Sequence, residues 1–267
     1  SRRVTGSFGA GRGRARNVTA GLFAAALVFS GTHAARANGR YPYSQQVTVD
    51  PNEPSHLWLR TTYGLLTSSD GGATWSWLCD DAVGFAPTED PMMAAAADGA
   101  VLLGAAEGLF VTRDHGCTWP ADASLGGHSV RDLATESDPL NVLALTLDVR
   151  SGGEYDLAVW HSADAAATFT RLGAALPGLI PITLDAAPSD PSRIYVTSVE
   201  QPNAGDGGGP DASASPDGWG GLCRSRDGGQ IGERRVIPGT DSFNQPYLAA
   251  VHPTSPDVLL VRGGGGS

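Results

Sequence analysis

A hydroxyl side chain and a carboxylate recur two residues apart at four places in this sequence. Two complete copies of the pattern occupy residues 68–75 (SSDGGATW) and 112–119 (TRDHGCTW), and two incomplete copies occupy 162–169 (SADAAATF) and 225–232 (SRDGGQIG). A paired hydroxyl and carboxylate can take part in acid–base chemistry, but short polar side chains also accept hydrogen bonds from backbone N–H groups inside a tight turn. The short spacing favours the second role, in which the carboxylate clips a hairpin turn together.

Each copy predicts the same parts of a turn. The hydroxyl and the carboxylate form the clip, the glycine adopts a positive φ, and the final tryptophan anchors the outgoing strand in apolar packing. The residues assigned to these structural roles are Ser68, Asp70, Gly72, Trp75, Thr112, Asp114, Gly116, Trp119, Ser162, Asp164, Ser225, Asp227 and Gly229. The third copy carries Ala166 in place of the glycine, and the fourth carries Ile231 and Gly232 in place of Thr-Trp, so we expect the fourth turn to be less firmly anchored.

Patterns typical of other chemistries are absent from the sequence. It contains no H-E-x-x-H, C-x-x-C, G-x-S-x-G or P-loop motif. The histidines that follow residue 37 are scattered along the chain: His56, His115, His128, His161 and His252. The sequence therefore predicts neither a metal site nor a cofactor.

Three cysteines, Cys79, Cys117 and Cys223, are too few for a disulfide framework. Cys223 lies two residues before its turn pattern, where the other copies have apolar residues, and we expect it in the core. A bond between Cys79 and Cys117 stays open, although the predicted strands put the two residues at opposite ends of neighbouring units.

The spacing of the turn patterns indicates a repeated unit. The intervals between Asp70, Asp114, Asp164 and Asp227 are 44, 50 and 63 residues. Repeats of about 40–50 residues are typical of propeller blades. In the first unit, apolar strands are predicted at 47–50, 57–60, 65–68 and 74–78, and four strands make one blade.

Later units begin near Met92, Val130, Ile182 and Tyr247. The sequence thus predicts an all-β protein, a β-propeller of four-stranded antiparallel blades with Asp-containing hairpins. About four and a half blades are present, and we expect further sequence to complete the ring. The alternative architecture is a β-sandwich, which accounts less well for turn patterns that repeat in register with the strands.

The first 37 residues have the parts of an export signal. Several arginines precede an apolar stretch at 18–30, and Ala35-Arg36-Ala37 forms a small-residue cleavage site. The apolar stretch is too short to span a bilayer, and the alternative is an ordinary buried helix. We expect a secreted, periplasmic or cell-surface protein whose propeller covers residues 38–267, with a flexible Gly- and Asp-rich insertion at 205–218 rather than a calcium loop.

The charge balance argues against nucleic acid as a partner. The whole chain has a net charge of −10, but 6 of the 18 basic residues and none of the 28 acidic residues fall within the predicted signal, which leaves a balance of −16. A surface so rich in carboxylates repels phosphate backbones.

The S/T-x-D-x-G-x-T-W pattern resembles the Asp-box, or bacterial neuraminidase repeat. Over most of residues 46–262 the chain is therefore similar to the Asp-box β-propellers, which include sialidases, sortilin-type receptors and photosystem assembly factors. The resemblance implies a scaffold, with the Asp-boxes at the blade periphery. Sialidases of this class carry Phe-Arg-Ile-Pro ahead of the first box, whereas the nearest match here, residues 39–42 (GRYP), keeps only the arginine and the proline.

Site residues implied by the sialidase resemblance are three arginines around a substrate carboxylate, a tyrosine nucleophile with a glutamate partner and an aspartate acid–base. On the loops of the face opposite the Asp-boxes, the candidates are Arg60, Arg131, Arg150, Tyr155, Glu154 and Asp90, with Tyr63, Asp80, Asp81 and Glu89 as alternatives and His128 on the same face. Their other interpretation is as ordinary solvated loop residues. Two functions follow: a binding scaffold for a glycan, peptide or assembly partner, or, as the alternative, a sialidase-like glycoside hydrolase of the exo-α-sialidase type.

Overall fold

The structure is a computed structural model that describes residues 41–86, 88–200, 220–229 and 231–263. The predicted export signal at 1–37 and the predicted insertion at 205–218 lie outside the described residues, so both stay predictions. Within the described residues, none of the helices has the length and apolar character that crossing a bilayer requires.

In this part of the chain, the strands form five antiparallel sheets in sequence order. The first sheet contains β1 (Ser44–Val49), β2 (Leu57–Thr61), β3 (Gly64–Ser68) and β4 (Ser76–Leu78), and the second contains β5 (Met92–Ala95), β6 (Val101–Ala105) and β7 (Gly108–Thr112). The third contains β8 (Ser129–Thr135), β9 (Val142–Val149), β10 (Tyr155–Ser162) and β11 (Thr170–Pro177). The fourth contains β12 (Leu179–Ala187), β13 (Asp190–Glu200), β14 (Gly220–Ser225) and β15 (Ile231–Val236), and the fifth contains β16 (Pro246–Val251) and β17 (Leu259–Gly263). A short α1 (Asp80–Val83) and a 3-10 helix (Ala97–Gly99) complete the elements.

Side chains alternate between the two faces of each sheet. In β2, Trp58 and Arg60 are buried on one face, whereas Leu57 and Leu59 are half-buried on the other. Successive residues of a strand point to opposite faces, so a sheet with apolar residues on both faces requires a neighbouring sheet on each side.

Neighbouring sheets pack through their first strands and share small apolar cores. Strand β1 lies beside β5, β5 beside β8, β8 beside β12, and β12 beside β16. Trp58 and Leu65 of the first sheet pack with Leu103 of the second, and Leu145 of the third packs with Val196 of the fourth. The first strand of each sheet is therefore the inner strand of a blade.

The predicted fold is confirmed. The protein is all-β, its blades are four-stranded antiparallel sheets, and the predicted blade starts near Met92 and Val130 match β5 and β8. The second blade has three strands in the described residues, because the segment after its Asp-box makes only one isolated bridge, between Phe110 and Ala121. The described residues show four blades and two strands of a fifth, and ring closure is not seen in them.

Four inner strands carry a β-bulge. One extra residue interrupts the pairing register of β1, β8, β12 and β16, and these residues are Gln45, Arg131, Ile182 and Ala249. In three of these strands the next side chain accepts a hydrogen bond from the backbone of the following inner strand. The bonds run from Met93 N to Gln46 Oε1 (3.0 Å), from Leu184 N to Asp132 Oδ2 (2.7 Å) and from Leu248 N to Thr183 Oγ1 (2.9 Å). These bonds fix the inner strands against one another.

Candidate functional site

Strand direction divides the disc into two faces. Strands β3, β7, β10 and β14 each end at an Asp-box, and we call that side the box face. The turns that join β2 to β3, β6 to β7 and β9 to β10 lie on the opposite side. The sequence-predicted candidates were placed on this opposite side.

A cavity of about 340 Å³ lies on this opposite side, where the inner strands begin, and we call it the channel-mouth cavity. The segment before β5 contributes Asp90, β8 contributes Arg131, β12 contributes Ile182, and β16 contributes Tyr247. Four blades therefore supply the lining, as expected for a site at the centre of a propeller.

Two of the lining side chains, Arg131 and Ile182, are bulge residues. A bulge inserts one extra residue into a strand and re-aims its side chain. Beside them, Gly104 allows a close approach of neighbouring blades, because a Cβ at this position would lie 2.5 Å from Val130 Cγ1. The bulges and this close approach together shape the cavity wall.

A buried carboxyl group lies directly after Arg131. Asp132 is 6% exposed, and it accepts hydrogen bonds from Leu133 N (2.9 Å) and Leu184 N (2.7 Å). Burial raises the pKa of Asp132 to about 7, although these two hydrogen bonds and the charge of Arg60 act in the opposite direction. The pKa of Asp185, on the neighbouring inner strand, is also raised by burial.

The structure places the three candidate arginines in different environments. Arg131 is exposed and lines the channel-mouth cavity. Arg60 is buried and donates hydrogen bonds to the backbone oxygens of Asp90 (2.6 Å) and Pro91 (2.7 Å), so it supports the segment behind the cavity. Arg150 donates to Asp156 Oδ2 at 2.7 and 3.0 Å.

Of the four acidic and tyrosine candidates considered next, two line the cavity and two are not among its described lining residues. Asp90 and Glu89 line the cavity, and Glu89 accepts hydrogen bonds from the backbone nitrogens of Ala86 and Ala106, both at 3.3 Å. Glu154 and Tyr155 follow the turn between β9 and β10, and neither is among the described residues that line the cavity.

The remaining alternatives are not among the described residues that line the cavity. The Tyr63 carbonyl oxygen accepts a hydrogen bond from Trp77 Nε1 (2.9 Å), Asp80 and Asp81 belong to α1, and His128 Nδ1 lies 2.9 Å from Asp148 Oδ2. His128 is therefore paired with a carboxylate at the start of the third blade.

Several lining residues were not predicted from the sequence. Ile182 and Tyr247 were noted only as blade starts, and Gln245 was not singled out. The Tyr247 hydroxyl lies 3.3 Å from Gln245 Oε1, and the Arg262 guanidinium lies 4.7 Å from the centre of the Tyr247 ring. The bulges that bring such residues to the cavity leave no mark in the sequence.

On the box face, the polar side chains bond within their own turns. In the first box, Gly72 N donates to Ser68 Oγ (2.9 Å), while Thr74 donates to Asp70 through its backbone nitrogen (2.8 Å) and its hydroxyl (2.7 Å). The second box repeats this arrangement around Asp114. The hydrogen bonds from the threonines are the main reason why the pKa of Asp70 and that of Asp114 are each lowered to about 2.

The incomplete boxes depart from the full pattern at different positions. In the third box, Ala166 adopts the positive φ (63°), and Asp164 still accepts bonds from the Thr168 nitrogen (2.9 Å) and hydroxyl (2.6 Å). In the fourth, Ser225 bonds Asp227 (3.0 Å) and Gly229 N (2.9 Å), but position 231 is an isoleucine, which has no hydroxyl to offer.

The aromatic residues that end the boxes are not equally buried. Trp119 packs edge-on against Trp58 of the preceding blade with ring centroids 5.9 Å apart, and Phe169 is 5% exposed in the core shared with the second blade. Trp75 is 39% exposed, and its indole nitrogen donates to the carbonyl oxygen of Gly72 in its own turn (3.0 Å). Trp75 therefore packs on its turn instead of on a preceding sheet.

All three cysteines are free thiols in the structure, and Cys223 is buried, as predicted. The bond between Cys79 and Cys117 that the sequence left open is not formed. Among the described residues, no group of three or more His, Cys, Asp or Glu side chains is arranged to hold a metal ion.

Comparison with known proteins shows the fold. No family model matches the sequence, and no curated protein matches it. Among solved structures, an ancestral GH74 enzyme aligns with a TM-score of 0.53 at 13% identity over 82% of this chain, and the Dos1 propeller aligns with a TM-score of 0.53 at 10% identity over 85%. A protein of unknown function from Dyadobacter fermentans aligns with a TM-score of 0.50 at 11% identity over 77% of this chain and 72% of its own.

The chain spans 27% of the GH74 enzyme and 56% of the Dos1 propeller chain, so the likeness concerns the propeller architecture alone. With the blade topology and the inner-strand packing described above, this likeness shows that the protein has a β-propeller fold.

Proposed function

We propose that this protein is an exported binding scaffold that holds a glycan or a peptide in the channel-mouth cavity. The observation that carries the proposal is the lining of this cavity, to which four blades contribute and in which Arg131 is exposed at a bulge. A cavity of about 340 Å³ whose walls combine polar and apolar groups is suited to a small ligand or to a short segment of a larger one.

The chemistry of the lining supports a ligand with both polar and apolar parts. Arg131 and the carboxylates of Glu89 and Asp90 can pair with polar groups, while Ile182 and the Tyr247 ring offer apolar surface. Glycans and peptides both combine these features. The net charge of −16 over the residues after position 37 argues against nucleic acid as the ligand, because the carboxylates repel phosphate groups.

The positions of the arginines favour binding over sialidase chemistry. A cluster of three arginines around a substrate carboxylate requires three guanidinium groups directed into one cavity. Here Arg60 is bonded to backbone oxygens and Arg150 is bonded to Asp156, so Arg131 is the candidate that remains for a ligand.

The alternative function is a sialidase-like glycoside hydrolase. One observation favours it: Asp132 follows Arg131, and its pKa is raised to about 7, a value suited to a general acid near neutral pH. Against it, Asp132 is buried and is not part of the cavity lining among the described residues.

The two functions separate in a paired experiment on the full chain. Labelled protein is applied to a printed glycan array and to an immobilised peptide array, and hydrolysis of a fluorogenic sialoside is measured in parallel. We expect selective array binding and no turnover, with binding weakened at least tenfold by Arg131→Ala. Arg171→Ala serves as the matched control, because Arg171 is an exposed arginine on β11, away from the cavity lining.

Array binding that is identical in Arg131→Ala and the wild type would overturn the assignment of the cavity. Turnover of the sialoside that is lost in Arg131→Ala would establish the hydrolase instead.

Export is a separate part of the proposal and has its own test. The sequence predicts cleavage after Ala37, so the secreted protein should begin at Asn38. Expression of the chain with residues 1–37 attached in a bacterial host, followed by N-terminal sequencing of the exported fraction, checks this. Protein that stays in the cytoplasm with residues 1–37 attached would contradict it.

A further inference from the structure

A second cavity, of about 370 Å³, lies on the box face between the first and second Asp-boxes. Every residue that lines it is polar, and most carry a hydroxyl group or an imidazole. We call it the polar cleft and define it by Glu53, His56, Thr67, Ser69, Ser76 and His115.

The two imidazoles of the polar cleft differ in burial, His56 being buried and His115 exposed. His56 is 6% exposed, its Nε2 lies 3.1 Å from Thr67 Oγ1, and its Nδ1 lies 3.8 Å from Asp50 Oδ2. The centre of the His115 ring lies 5.1 Å from that of the His56 ring, and the centre of the Trp58 ring lies 5.5 Å from that of the His56 ring. A ligand in the cleft therefore meets one fixed ring, that of His56, with the exposed His115 ring beside it.

The next cleft along the box face provides a matched comparison. It lies between the second and third boxes, has a volume of about 450 Å³, and is lined partly by Val111, Pro120, Ala166 and Ala167. By position relative to the boxes, Val111 corresponds to Thr67 and Pro120 to Ser76.

The two histidines also have small counterparts in the neighbouring blades. Ala165 of the third box corresponds to His115, and both adopt a positive φ, 54° and 59°. His56 closes its turn through the bond Asp50 N to His56 O, and in the second blade Ala100 closes the same turn through Ala96 N to Ala100 O. Because the fold accepts valine, proline and alanine at these positions, it does not require the polar groups of the first cleft.

We propose that the polar cleft is a binding site for a neutral saccharide. Hydroxyl groups donate and accept hydrogen bonds, which matches a ligand whose own groups are hydroxyls, and the imidazole nitrogens add further hydrogen-bonding atoms. Glu53 is the sole carboxylate of the six residues that define the cleft, and no arginine is among the lining residues the structure describes, so an anionic ligand would lack a partner for its charge. The imidazole rings add flat surface for the C–H face of a sugar.

The polar cleft is separate from the channel-mouth cavity. It lies at the boxes of the first two blades, whereas the channel-mouth cavity lies where the inner strands begin, on the opposite side of the disc. Within the described part of the chain, no lining residue is common to the two cavities. This proposal therefore does not depend on the ligand proposed for the channel mouth.

The test uses the full chain labelled with ¹⁵N at its histidines. Maltose, cellobiose and lactose are titrated separately into this protein, and the NMR resonances of the His56 and His115 rings are recorded at each step. We expect a saturable shift with at least one disaccharide. The double variant Thr67→Val, His115→Ala should weaken the affinity at least tenfold, measured for that variant by calorimetry. Both changes introduce the residue that a neighbouring blade already uses at that position, and an unchanged Tm confirms that the variant folds.

Arg171→Ala is the control, because Arg171 is an exposed arginine on β11 that is not among the described lining residues of either cavity, and it should leave the disaccharide titration unchanged. If the channel-mouth proposal is wrong, the shifts of the His56 and His115 resonances are still expected, so the two proposals can be contradicted independently. The absence of a saturable shift with all three disaccharides would overturn the saccharide site, as would an affinity that the double variant does not alter. A stronger response to sodium sulfate than to any disaccharide would also overturn it.

Discussion

The box face and the channel-mouth face employ their polar side chains in different ways. On the box face, Asp70 and Asp114 bond the backbone and the threonine of their own turns. At the channel mouth, Arg131 is directed into a cavity by a bulge, and Asp132 bonds the neighbouring blade. The difference indicates that substitutions in the box turns act mainly on folding stability, whereas substitutions at the channel mouth divide between ligand binding and the contact between blades.

The largest expected effect is that of Gly116→Ala on the box face. Gly116 has a φ of 87°, and a Cβ there would lie 2.8 Å from the end of the buried Trp58 ring. The left-handed backbone costs about 1–2 kcal/mol for alanine, and overpacking adds about 1–3 kcal/mol. We expect the free energy of unfolding in urea to fall by the sum of these, about 2–5 kcal/mol.

Gly71→Ala is the matched control for that change. Gly71 has a similar φ of 70°, but a Cβ there would meet no atom within 4 Å. Only the backbone cost remains, so the loss should be about 1–2 kcal/mol. Equal decreases in the free energy of unfolding for Gly116→Ala and Gly71→Ala would show that the close approach of Gly116 to Trp58 does not contribute to the loss of stability.

The next effect is that of Asp114→Ala, which removes the acceptor for three hydrogen bonds within the second box. We expect a clear fall in Tm at neutral pH, with any ligand affinity of the channel mouth unchanged. Asp227→Ala should lower Tm less, since the fourth box has an isoleucine where the others have the bonding threonine. A Tm that does not change in Asp114→Ala would contradict the structural role of the box carboxylate.

The same variant has a predicted dependence on pH. The pKa of Asp114 is lowered from 3.8 to about 2, so its contribution to stability is complete above about pH 4 and is lost as the pH falls towards 2. The difference in Tm between wild type and Asp114→Ala should therefore shrink over that window. A difference that stays constant from pH 5 to pH 2 would rule out the lowered pKa.

The smallest expected effect is that of Asp132→Asn, and its pH dependence has the opposite sign. Burial raises the pKa of Asp132 from 3.8 to about 7, so its ionisation opposes folding, and its contribution to stability falls as the pH rises from about 4 to 7. The asparagine variant lacks this ionisation but loses one of the two accepted N–H bonds, because its amide nitrogen is a donor. Wild type should be the more stable protein near pH 4, and its advantage should decrease towards pH 7.

Thermal unfolding of both proteins in matched buffers checks this prediction. An advantage of wild type that increases with pH would contradict the environment assigned to Asp132. Together, the Asp114 and Asp132 variants test whether the two faces respond to acid in opposite directions.

Much of the fold could be predicted because its signals are local. A box contains its own hydrogen-bond donors and acceptors within seven residues, from Ser68 to Thr74, so the turn can be recognised without knowledge of its neighbours. Val130 was predicted as a blade start within one residue of β8, since a run of apolar residues after a turn marks a strand.

The candidate site was less predictable. Arg60, Arg131 and Arg150 look alike as arginines near predicted loops, yet the structure buries the first, directs the second into a cavity and pairs the third with Asp156. The outcome for each depends on a bulge or on a residue of another strand. Trp75 and Trp119 end the same turn pattern and still differ in packing, because Trp119 packs against Trp58 of another blade whereas Trp75 packs on its own turn.

By itself, the sequence determined the repeat, the Asp-box turns, the strand content and the blade starts, because hydrogen bonds within a turn and alternation along a strand depend on residues that are close in the chain. The tertiary structure decided which side chains share a cavity. Arg131 meets Tyr247 across 116 positions of sequence, and His56 meets His115 across 59, only because inner strands and boxes of successive blades are stacked side by side. Contacts of this kind arise from the packing of one sheet on the next, which no short segment of the chain encodes.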